Sequence, residues 1–384
     1  MQQQRRILVI AGEASGDRLA ARVLHEANAL TAQSQDTISI YGIAGDRSKA
    51  EGMHCYYDSK EMSVVGFFEV AKRYSFFKRV FNEMVSLLDN KETRPDVVLL
   101  VDYPGFNIRF AAEAKKRGIK VIYYVSPQVW AWKPSRVPKI VAVVDRMLVI
   151  FPFEKEIYTS AGLEATSFIG HPLVEMIDDE RTHFLSREEF AAKHGLDATK
   201  EWLPIFPGSR REEVRRHLAI MAEAGTTLAA TTGLLPIVVE SASLDSSIYN
   251  DLPATINRFR SSTEIHQLLY YSKVGILKSG TTTLEAALCG LPGVICYRTS
   301  WPTYWMAKSL IKLQYIGLAN IVLGKKLYPE LIQSEMTAAT ITAAITDILA
   351  NESSFRQELT QVRTRLQSTG HSPSKTAAEY LLSI

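Results

Sequence analysis

Cysteine is scarce in this sequence, with three residues among 384. Cys55, Cys289 and Cys296 form no CxxC pair and no cluster with metal-ligand spacing, which disfavours both a disulfide-stapled fold and a cysteine-based metal site. Cys289 falls in a helical pattern and Cys296 in an apolar strand pattern, as is typical of small buried hydrophobic side chains. This usage fits a reducing, cytoplasmic compartment.

A strong charge bias and long apolar runs are also missing. The 44 Lys and Arg residues nearly balance the 41 Asp and Glu residues, so the large basic excess expected of a nucleic-acid-binding protein is absent. No stretch reaches the roughly 18–20 uninterrupted apolar residues of a spanning helix. The start, "MQQQRRILVIAGE", has too short an apolar run for a signal peptide. We therefore expect a cytoplasmic protein without a nucleic-acid partner, which could still lie on a membrane surface.

Three familiar catalytic signatures are absent. The eight histidines include no HExxH pattern and no other metal spacing, so no metal is expected. No GxSxG motif accompanies the serines in turns, which gives no support to an acyl-enzyme mechanism. The first glycine loop is not GxGxxG, so the dinucleotide fingerprint fails as well. The sequence predicts an enzyme or binding protein without a cofactor.

What is present is an alternation of short apolar runs and helical patterns, repeated twice. The first half contains "ILVIA" (7–11), "ISIYGI" (38–43), "DVVLLVD" (96–102), "KVIYYV" (120–125) and "RMLVIF" (146–151). The second half repeats the alternation with "WLPIF" (202–206), "PIVVE" (236–240), "KVGIL" (273–277) and "PGVICY" (292–297). Continuous apolar strands separated by helices predict parallel sheets covered on both faces. We expect two α/β domains facing a cleft, with a polar linker over 170–200 and only helices after 335.

Three loops of the first half carry candidate site residues. "GEASGD" (12–17) follows the first strand, and its acidic groups suit sugar hydroxyls, although Asp17 could equally be a helix N-cap. "VDYPGFN" (101–107) places Asp102 at a strand end, where a partly desolvated carboxylate is a reasonable general base. The alternative is a helix cap, a role for which Asn107 competes. "VSPQVWAWKPSR" (125–136) places tryptophans and Gln128 in a loop, which suits either sugar stacking or simple packing.

Two strand-to-helix turns of the second half resemble anion sites. "FPGSRREE" (206–213) combines Gly208, Ser209 and Arg210, and Arg suits bidentate phosphate contacts. "SGTTTLEAALCG" (279–290) sets Ser279, Gly280, Thr281 and Thr282 before a good helix former, where a helix start attracts anions. The alternative for this stretch is an ordinary helix cap. Two such turns in one domain could converge on one diphosphate, with Glu285 one turn inside the helix to accept ribose hydroxyls.

The segment "MSVVGFFEVAKRYSFFKRVFNEMV" (62–85) interleaves aromatic and basic residues. An aromatic stripe at helical spacing is more often core, but this segment has more large apolar groups than one buried stripe needs, so interfacial or lipid contact is a second interpretation. The residues concerned are Phe67, Phe68, Lys72, Arg73, Phe76, Phe77, Lys78 and Arg79.

The motifs occur together in one known family. "GEASGD", "DYPGFN", "YVSPQVWAW", "FIGHPLVE", "PGSRREEV", "SGTTTLEAAL" and "YRTSWPTYWMAKSLIKLQYIGLANIVLGKKLYPELIQ" follow in this order. From about residue 7 to the last helices, the chain resembles the lipid-A-disaccharide synthases, glycosyltransferases of the GT-B fold. The resemblance implies Rossmann-like domains at 1–172 and 173–350, and C-terminal helices at 351–384 that pack back on the N-terminal domain.

The resemblance also implies a reaction and its site. A 2,3-diacylglucosamine unit passes from UDP to 2,3-diacylglucosamine 1-phosphate (lipid X), with inversion, to give the β(1→6)-linked disaccharide phosphate and UDP. Asp102 is the implied base, and no cofactor or metal is needed. The implied UDP-binding residues are Gly208, Ser209, Arg210, Ser279, Gly280, Thr281, Thr282, Glu285 and Asn320. The implied acceptor-side residues are Glu13, Ser15, Asp17, Gln128 and Trp130.

The remaining implications concern the surroundings of the protein. Acylated substrates imply a peripheral position on the inner membrane, and a homodimer is left open. Lys278 and Arg18 depart from the family pattern, in which these positions are small and aliphatic. Two other interpretations are an enzyme of the UDP-N-acetylglucosamine 2-epimerase type and a non-catalytic protein that binds nucleotide sugars or lipids. The epimerase would not need the aromatic and basic segment, and the binding protein would not need Asp102.

Overall fold

The structure, a computed structural model, describes residues 4–34, 37–62, 73–131, 133–310 and 313–384. The chain forms two compact units, one of Met1–Pro172 with Ser368–Ile384 and the other of Leu173–Gln367. Each unit has its own parallel sheet, so the prediction of two α/β units is confirmed. The second unit extends to residue 367, beyond the expected limit at 350.

The first unit is built on a seven-stranded sheet with the order β3-β2-β1-β4-β5-β6-β7, and all its pairings are parallel. Its central strands are almost wholly buried because helices cover both faces. The strands are β1 Gln4–Ile10, β2 Thr37–Ala44, β3 His54–Asp58, β4 Val97–Val101, β5 Lys120–Tyr124, β6 Arg146–Val149 and β7 Thr166–Phe168. The helices are α1 Ala14–Ser34, α2 Asp46–Ala50, α3 Ser59–Met62, α4 Tyr74–Asp89, α5 Pro104–Lys116, α6 Val137–Val141 and α7 Pro152–Thr159.

The second unit has a six-stranded parallel sheet with the order β10-β9-β8-β11-β12-β13. Its strands are β8 Trp202–Phe206, β9 Leu235–Val239, β10 Asn257–Phe259, β11 Gly275–Lys278, β12 Gly293–Tyr297 and β13 Glu330–Ile332. The helices are α8 Pro172–Arg181, α9 Arg187–His194, α10 Arg211–Thr232, α11 Ile265–Tyr271, α12 Thr281–Leu288, α13 Trp301–Leu310, α14 Leu318–Leu323, α15 Ala338–Ala350 and α16 Glu352–Leu366. The α16 helix packs against α12, which explains why the second unit extends past 350.

The last helix, α17 Pro373–Leu382, belongs to the first unit. It packs against α1, and the Tyr380 ring lies under the Arg146 guanidinium at 4.2 Å from the ring centroid. The Tyr380 hydroxyl is 3.2 Å from the Ser167 hydroxyl on β7. The helix therefore completes the helical layer of a sheet whose strands lie more than 200 residues earlier in the chain.

Candidate functional site

In each sheet the strand order reverses at one position, the topological switch point. In the first sheet β1 and β4 are neighbours, and in the second β8 and β11 are neighbours. Loops at the carboxyl ends of two such strands lead to opposite faces of the sheet and leave a crevice where ligands bind. The sequence motifs at 12–17 and 101–107 follow β1 and β4, while those at 206–213 and 279–290 follow β8 and β11. Each pair of motifs thus lies at a switch point.

Asp102 follows β4 in a backbone conformation that few residues adopt. Its φ is 45° and that of Tyr103 is 48°, in the left-handed region where Asp is tolerated better than most side chains. The Asp102 N–H donates to the Tyr124 carbonyl at 3.0 Å, and the Asp102 carbonyl accepts from Asn107 Nδ2 at 2.8 Å and the Tyr123 hydroxyl at 2.5 Å. Asn107 is fully buried and holds this turn. Neither Asp102 nor Asn107 caps the helix, since Tyr103 is at the N-cap position of α5.

The surroundings of Asp102 favour its neutral form more than water does. Burial, and next the charge of Glu13, raise the pKa of the Asp102 carboxyl to about 6. Glu13 itself is exposed in the loop after β1. A carboxylate with a pKa near neutrality is a stronger base than an ordinary aspartate and is still ionised at neutral pH.

Asp102 opens into a pocket of about 210 Å³ within the first unit. Gln128 and Phe151 contribute to its walls, together with Arg136 and Glu154. Val125, also in the wall, has a φ of 63°, which is unusual for a β-branched residue and marks a strained loop of the kind found at functional sites. Asp102 and Gln128 therefore line the same pocket.

Glu154 is a member of this pocket that sequence reasoning missed. Its carboxylate accepts from Trp130 Nε1 at 3.0 Å, from the Ser126 hydroxyl at 3.2 Å and from the Phe151 N–H at 3.1 Å. Burial raises the pKa of Glu154 to about 7. The only signal in the sequence was an acidic residue in the first turn of a helix that begins at Pro152. Such residues are common as simple helix caps, so this signal did not single out Glu154. The carboxylate instead fixes Trp130, so the indole N–H is not available to a ligand in this arrangement.

The loop after β1 divides into exposed and structural residues. Glu13 and Ser15 are exposed at the start of α1. Asp17 is different, because its buried carboxylate accepts from the Gly45 N–H at 2.8 Å and from the Ser48 hydroxyl at 2.7 Å. It lies inside α1 and holds the first turn of α2. The expectation that Asp17 faces a ligand is therefore corrected, since its acceptor positions are used inside the unit.

In the second unit, the turn after β8 exposes Ser209 and Arg210. Gly208 has a φ of 131° and no room for a Cβ atom, which would lie 2.7 Å from Glu213 Cβ. The Ser209 N–H donates to Glu213 Oε2 at 3.2 Å, and Lys278 Nζ lies 3.0 Å from Glu213 Oε1. The Glu213 carboxylate thus contacts both the Ser209 N–H and the Lys278 ammonium, two groups that attract negative charge.

The turn after β11 leads directly into α12. Gly280, with a φ of 153°, is at the N-cap position, and the ammonium of Lys278 lies 3.6 Å from where its Cβ would be. The first N–H groups of α12, those of Thr281 and Thr282, have no acceptor within the helix. Ser279 is less available than expected, because its hydroxyl donates to the Ile316 carbonyl at 3.0 Å.

Glu285 forms part of a charged group inside the second unit. His266 Nδ1 is 2.6 Å from Glu180 Oε2, and His266 Nε2 is 3.8 Å from Glu285 Oε1. Burial alone would lower the pKa of His266, but the two carboxylates outweigh it and raise the pKa to about 9. The imidazolium therefore holds Glu285, which remains partly accessible.

Asn320 does not line an open surface. It is fully buried, its Nδ2 donates to Tyr328 O and to Glu330 Oε1 at 2.9 Å each, and its Oδ1 accepts from the Leu327 and Tyr328 N–H groups. The amide thus joins α14 to the strand that follows. The expectation that Asn320 contacts UDP is corrected, since its side chain is already satisfied inside the unit.

The aromatic and basic segment is only partly described. Phe67, Phe68 and Lys72 lie outside the described residues, as does Trp132 of the tryptophan loop. Phe76 and Phe77, on α4, are half-buried and pack against the core of the first unit. Arg73 lies 4.5 Å from the Phe76 ring centroid, while Lys78 and Arg79 are exposed. The two phenylalanines therefore pack against the core, which is the first of the two interpretations that the sequence left open for this segment.

In the described ranges, every helix is either too short or too polar to span a lipid bilayer. In the same residues, no group of three or more His, Cys, Asp or Glu side chains has the arrangement of a metal site.

The chain is similar to members of one protein family and to solved structures of the same fold. The model of the lipid-A-disaccharide synthetase family matches residues 7–384. Lipid-A-disaccharide synthases from Trichlorobacter lovleyi and Coxiella burnetii are 39% and 35% identical to the chain, over 95% and 92% of it and 94% and 91% of their own length. Two solved structures cover the whole chain with a TM-score of 0.61. One is UDP-GlcNAc 2-epimerase from Neisseria meningitidis bound to UDP-GlcNAc, at 11% identity over 99% of its length. The other is CalG4, the calicheamicin glycosyltransferase, at 16% over 98%; at such identities both indicate the fold alone.

Proposed function

The chain belongs to the lipid-A-disaccharide synthase family, and we propose from that premise how its glycosyltransferase reaction is carried out. The donor is UDP-2,3-diacylglucosamine and the acceptor is 2,3-diacylglucosamine 1-phosphate. The acceptor 6-hydroxyl attacks the anomeric carbon of the donor from the face opposite UDP. The bond to the diphosphate breaks, a β(1→6) bond forms, and UDP leaves with the bonding electron pair.

Asp102 is the general base of this reaction. Its carboxylate takes the proton of the acceptor 6-hydroxyl as the new C–O bond forms. The raised pKa of about 6 supports this role, because the carboxylate is ionised at neutral pH and yet basic enough to share a proton in the transition state. The pocket beside it is lined by the side chain of Gln128, a hydrogen-bonding group suited to sugar hydroxyls. The position of the Asp102 carboxylate at a switch point is the observation that best supports the proposal.

The second unit holds the nucleotide and stabilises the leaving group. Arg210 and the free N–H groups at the start of α12 face the negative charge that develops on the diphosphate. Lys278 adds a cation between these two turns, where Glu213 holds it. Glu285, fixed by His266, accepts the ribose hydroxyls. These groups act without a metal ion, since cationic side chains and helix N-termini supply the positive charge.

Acylated substrates require the protein to work at a lipid surface. We infer peripheral contact with the inner membrane, to which the exposed Lys78 and Arg79 of α4 contribute. Each basic residue near an anionic surface adds about 1 kcal/mol of attraction.

Mass spectrometry of the product tests the function directly. The purified chain is incubated with UDP-2,3-diacylglucosamine and 2,3-diacylglucosamine 1-phosphate, and we expect a tetraacyl disaccharide monophosphate together with UDP. A parallel incubation with unacylated UDP-N-acetylglucosamine should give no epimerised sugar. Epimerisation in the second incubation without disaccharide in the first would overturn the proposal.

A further inference from the structure

Helix α13 is the most exposed apolar element among the described residues. Its Trp301, Trp305 and Met306 are 55%, 59% and 59% exposed, and they are three of the seven large hydrophobic side chains that the described part of the chain exposes. No other helix there contributes more than one. Large exposed apolar patches on a protein surface mark contacts with another molecule or with a membrane.

The exposed rings form one stripe along α13. Trp301, Tyr304, Trp305 and Lys308 follow the i, i+3, i+4, i+7 spacing that places side chains on one helical face. The ring centroids of Trp301 and Tyr304 are 5.8 Å apart, and those of Tyr304 and Trp305 are 5.6 Å apart. Lys308 Nζ lies 5.4 Å from the Trp305 ring centroid. The stripe therefore presents a continuous aromatic surface ending in a cation.

The helix cannot owe its stability to the packing that the structure describes. It has ten residues with a proline at its second position, and isolated helices shorter than about 12–15 residues are marginal in water. Of the α13 side chains whose exposure is described, none is buried and only Tyr304 is half-buried. Helices of this length usually gain their stability by burying an apolar face, so a surface that covers the exposed stripe would stabilise α13.

The charge around α13 identifies what covers it. The sequence from 286 to 329 contains no Asp or Glu, and its basic residues are Arg298, Lys308, Lys312, Lys325 and Lys326. Lys325 is paired with Glu358, and the Arg298 guanidinium donates to the Gln333 and Met336 carbonyls. Lys308 and Lys326 are exposed, and exposed cations in an acid-free stretch suit an anionic surface. Trp and Tyr are the side chains that concentrate at membrane–water interfaces, because one end of each ring system is apolar and the other is polar.

We propose that α13 is a membrane-interface helix that lies in the headgroup region of an anionic bilayer. Trp301 and Trp305 enter the boundary between headgroups and acyl chains, and Lys308 contacts lipid phosphate. The proposal builds on the proposed function, whose lipid substrates reside in a bilayer. It assigns a membrane contact to the second unit, separate from the basic residues of α4 in the first.

Serine replacement of both tryptophans tests this contact in the full-length chain. Trp301→Ser/Trp305→Ser should weaken binding to vesicles of phosphatidylglycerol and phosphatidylcholine by at least about tenfold, because two large apolar side chains no longer leave water. Tyr56→Ser is the matched control, since it removes a ring of 41% exposure from the first unit, and it should bind vesicles like the wild type. Circular dichroism and calorimetry with UDP check that the fold and the nucleotide site are intact.

Fluorescence distinguishes insertion from adsorption. With vesicles containing chain-brominated lipid, the wild-type emission should be quenched. Trp301→Phe/Trp305→Phe should keep vesicle affinity within about threefold, since Phe buries nearly as much apolar surface, but lose most of the quenching. Undiminished quenching in this Phe variant would show that other tryptophans meet the lipid and would overturn the proposal.

Three further outcomes would also overturn it. The serine variant could bind vesicles as tightly as the wild type. It could retain vesicle binding but change from dimer to monomer in sedimentation, which would make α13 an interface between copies of the chain. It could lose turnover of short-chain, detergent-dispersed substrates in the same proportion as vesicle binding, which would place α13 in the substrate site. Failure of the wild type to form disaccharide, with vesicle binding intact, would instead count against the proposed function alone.

Discussion

Replacing Asp102 by asparagine removes a proton acceptor while changing little else in its loop. Asparagine has the same shape and is one of the few residues that tolerate a φ of 45°. The hydrogen bonds that hold the turn run to the backbone of Asp102, from Asn107 and Tyr123, so they do not depend on the side-chain charge. We therefore expect Asp102→Asn to fold as the wild type does.

The expected loss follows from the protonation state of the carboxylate. With a pKa of about 6, about 99% of the side chain is ionised two pH units higher, so the base is fully available at pH 8. General base catalysis contributes about 10²–10⁴-fold to a rate, and we expect kcat of Asp102→Asn to fall by at least about a hundredfold. UDP affinity should not change, because the proposed nucleotide residues belong to the other unit.

Single-turnover rates measured against pH provide the assay. The wild-type rate should rise with pH through about 6, because the general base acts in its deprotonated form, and then level off. The residual rate of Asp102→Asn should lack this rising limb. A variant with near-normal kcat, or with a low kcat that still rises through the same pH, would refute the assignment of the base.

The remaining predictions concern the neighbours of the two sites. Glu13→Gln removes a negative charge that raises the pKa of Asp102, so the rising limb of the rate should move to lower pH; an unmoved limb would exclude this coupling. Arg210→Ala should weaken UDP binding by roughly 1.5–3 kcal/mol, the range for a charge-assisted hydrogen bond, as measured by calorimetry, and unchanged affinity would make Arg210 an ordinary surface residue. His266 has a folded pKa of about 9 against 6.5 for the free side chain, so its charge stabilises the fold fully below pH 6.5 and this contribution is lost as the pH rises through 9. The melting temperature of the wild type should exceed that of His266→Gln below pH 7 and approach it above pH 9, and a constant difference would contradict the charged pair.

The sequence predicted the inner strands of both sheets and none of the four edge strands. The inner strands read as continuous apolar runs because both of their faces are buried. The edge strands β3, β7, β10 and β13 have three to five residues with mixed exposure, so neither an apolar run nor a regular alternation distinguishes them from a loop. An edge strand forms because it pairs with a neighbouring strand, and its own residues do not reveal that neighbour.

For the candidate site, the sequence indicated the loops but not the partners of each side chain. Strand-to-helix turns with glycine are visible in a sequence, and these turns lie at the switch points of the two sheets. The partners of Asp17 and Asn320 are not visible, because they are backbone and side-chain groups brought close only by the fold. Glu154 was missed because an acidic residue in a first helical turn is common, and its burial is not visible in the sequence.

The return of residues 373–382 to the first unit affects how the protein is made. A ribosome completes the whole second unit before it adds the helix that covers α1 and β7. Part of the apolar surface of the first unit therefore stays in water until residues 373–382 have been added, and a chaperone that binds exposed apolar segments could bind it during that interval. Removing residues 368–384 should consequently destabilise the first unit more than the second unit, although the second unit directly precedes these residues in the sequence.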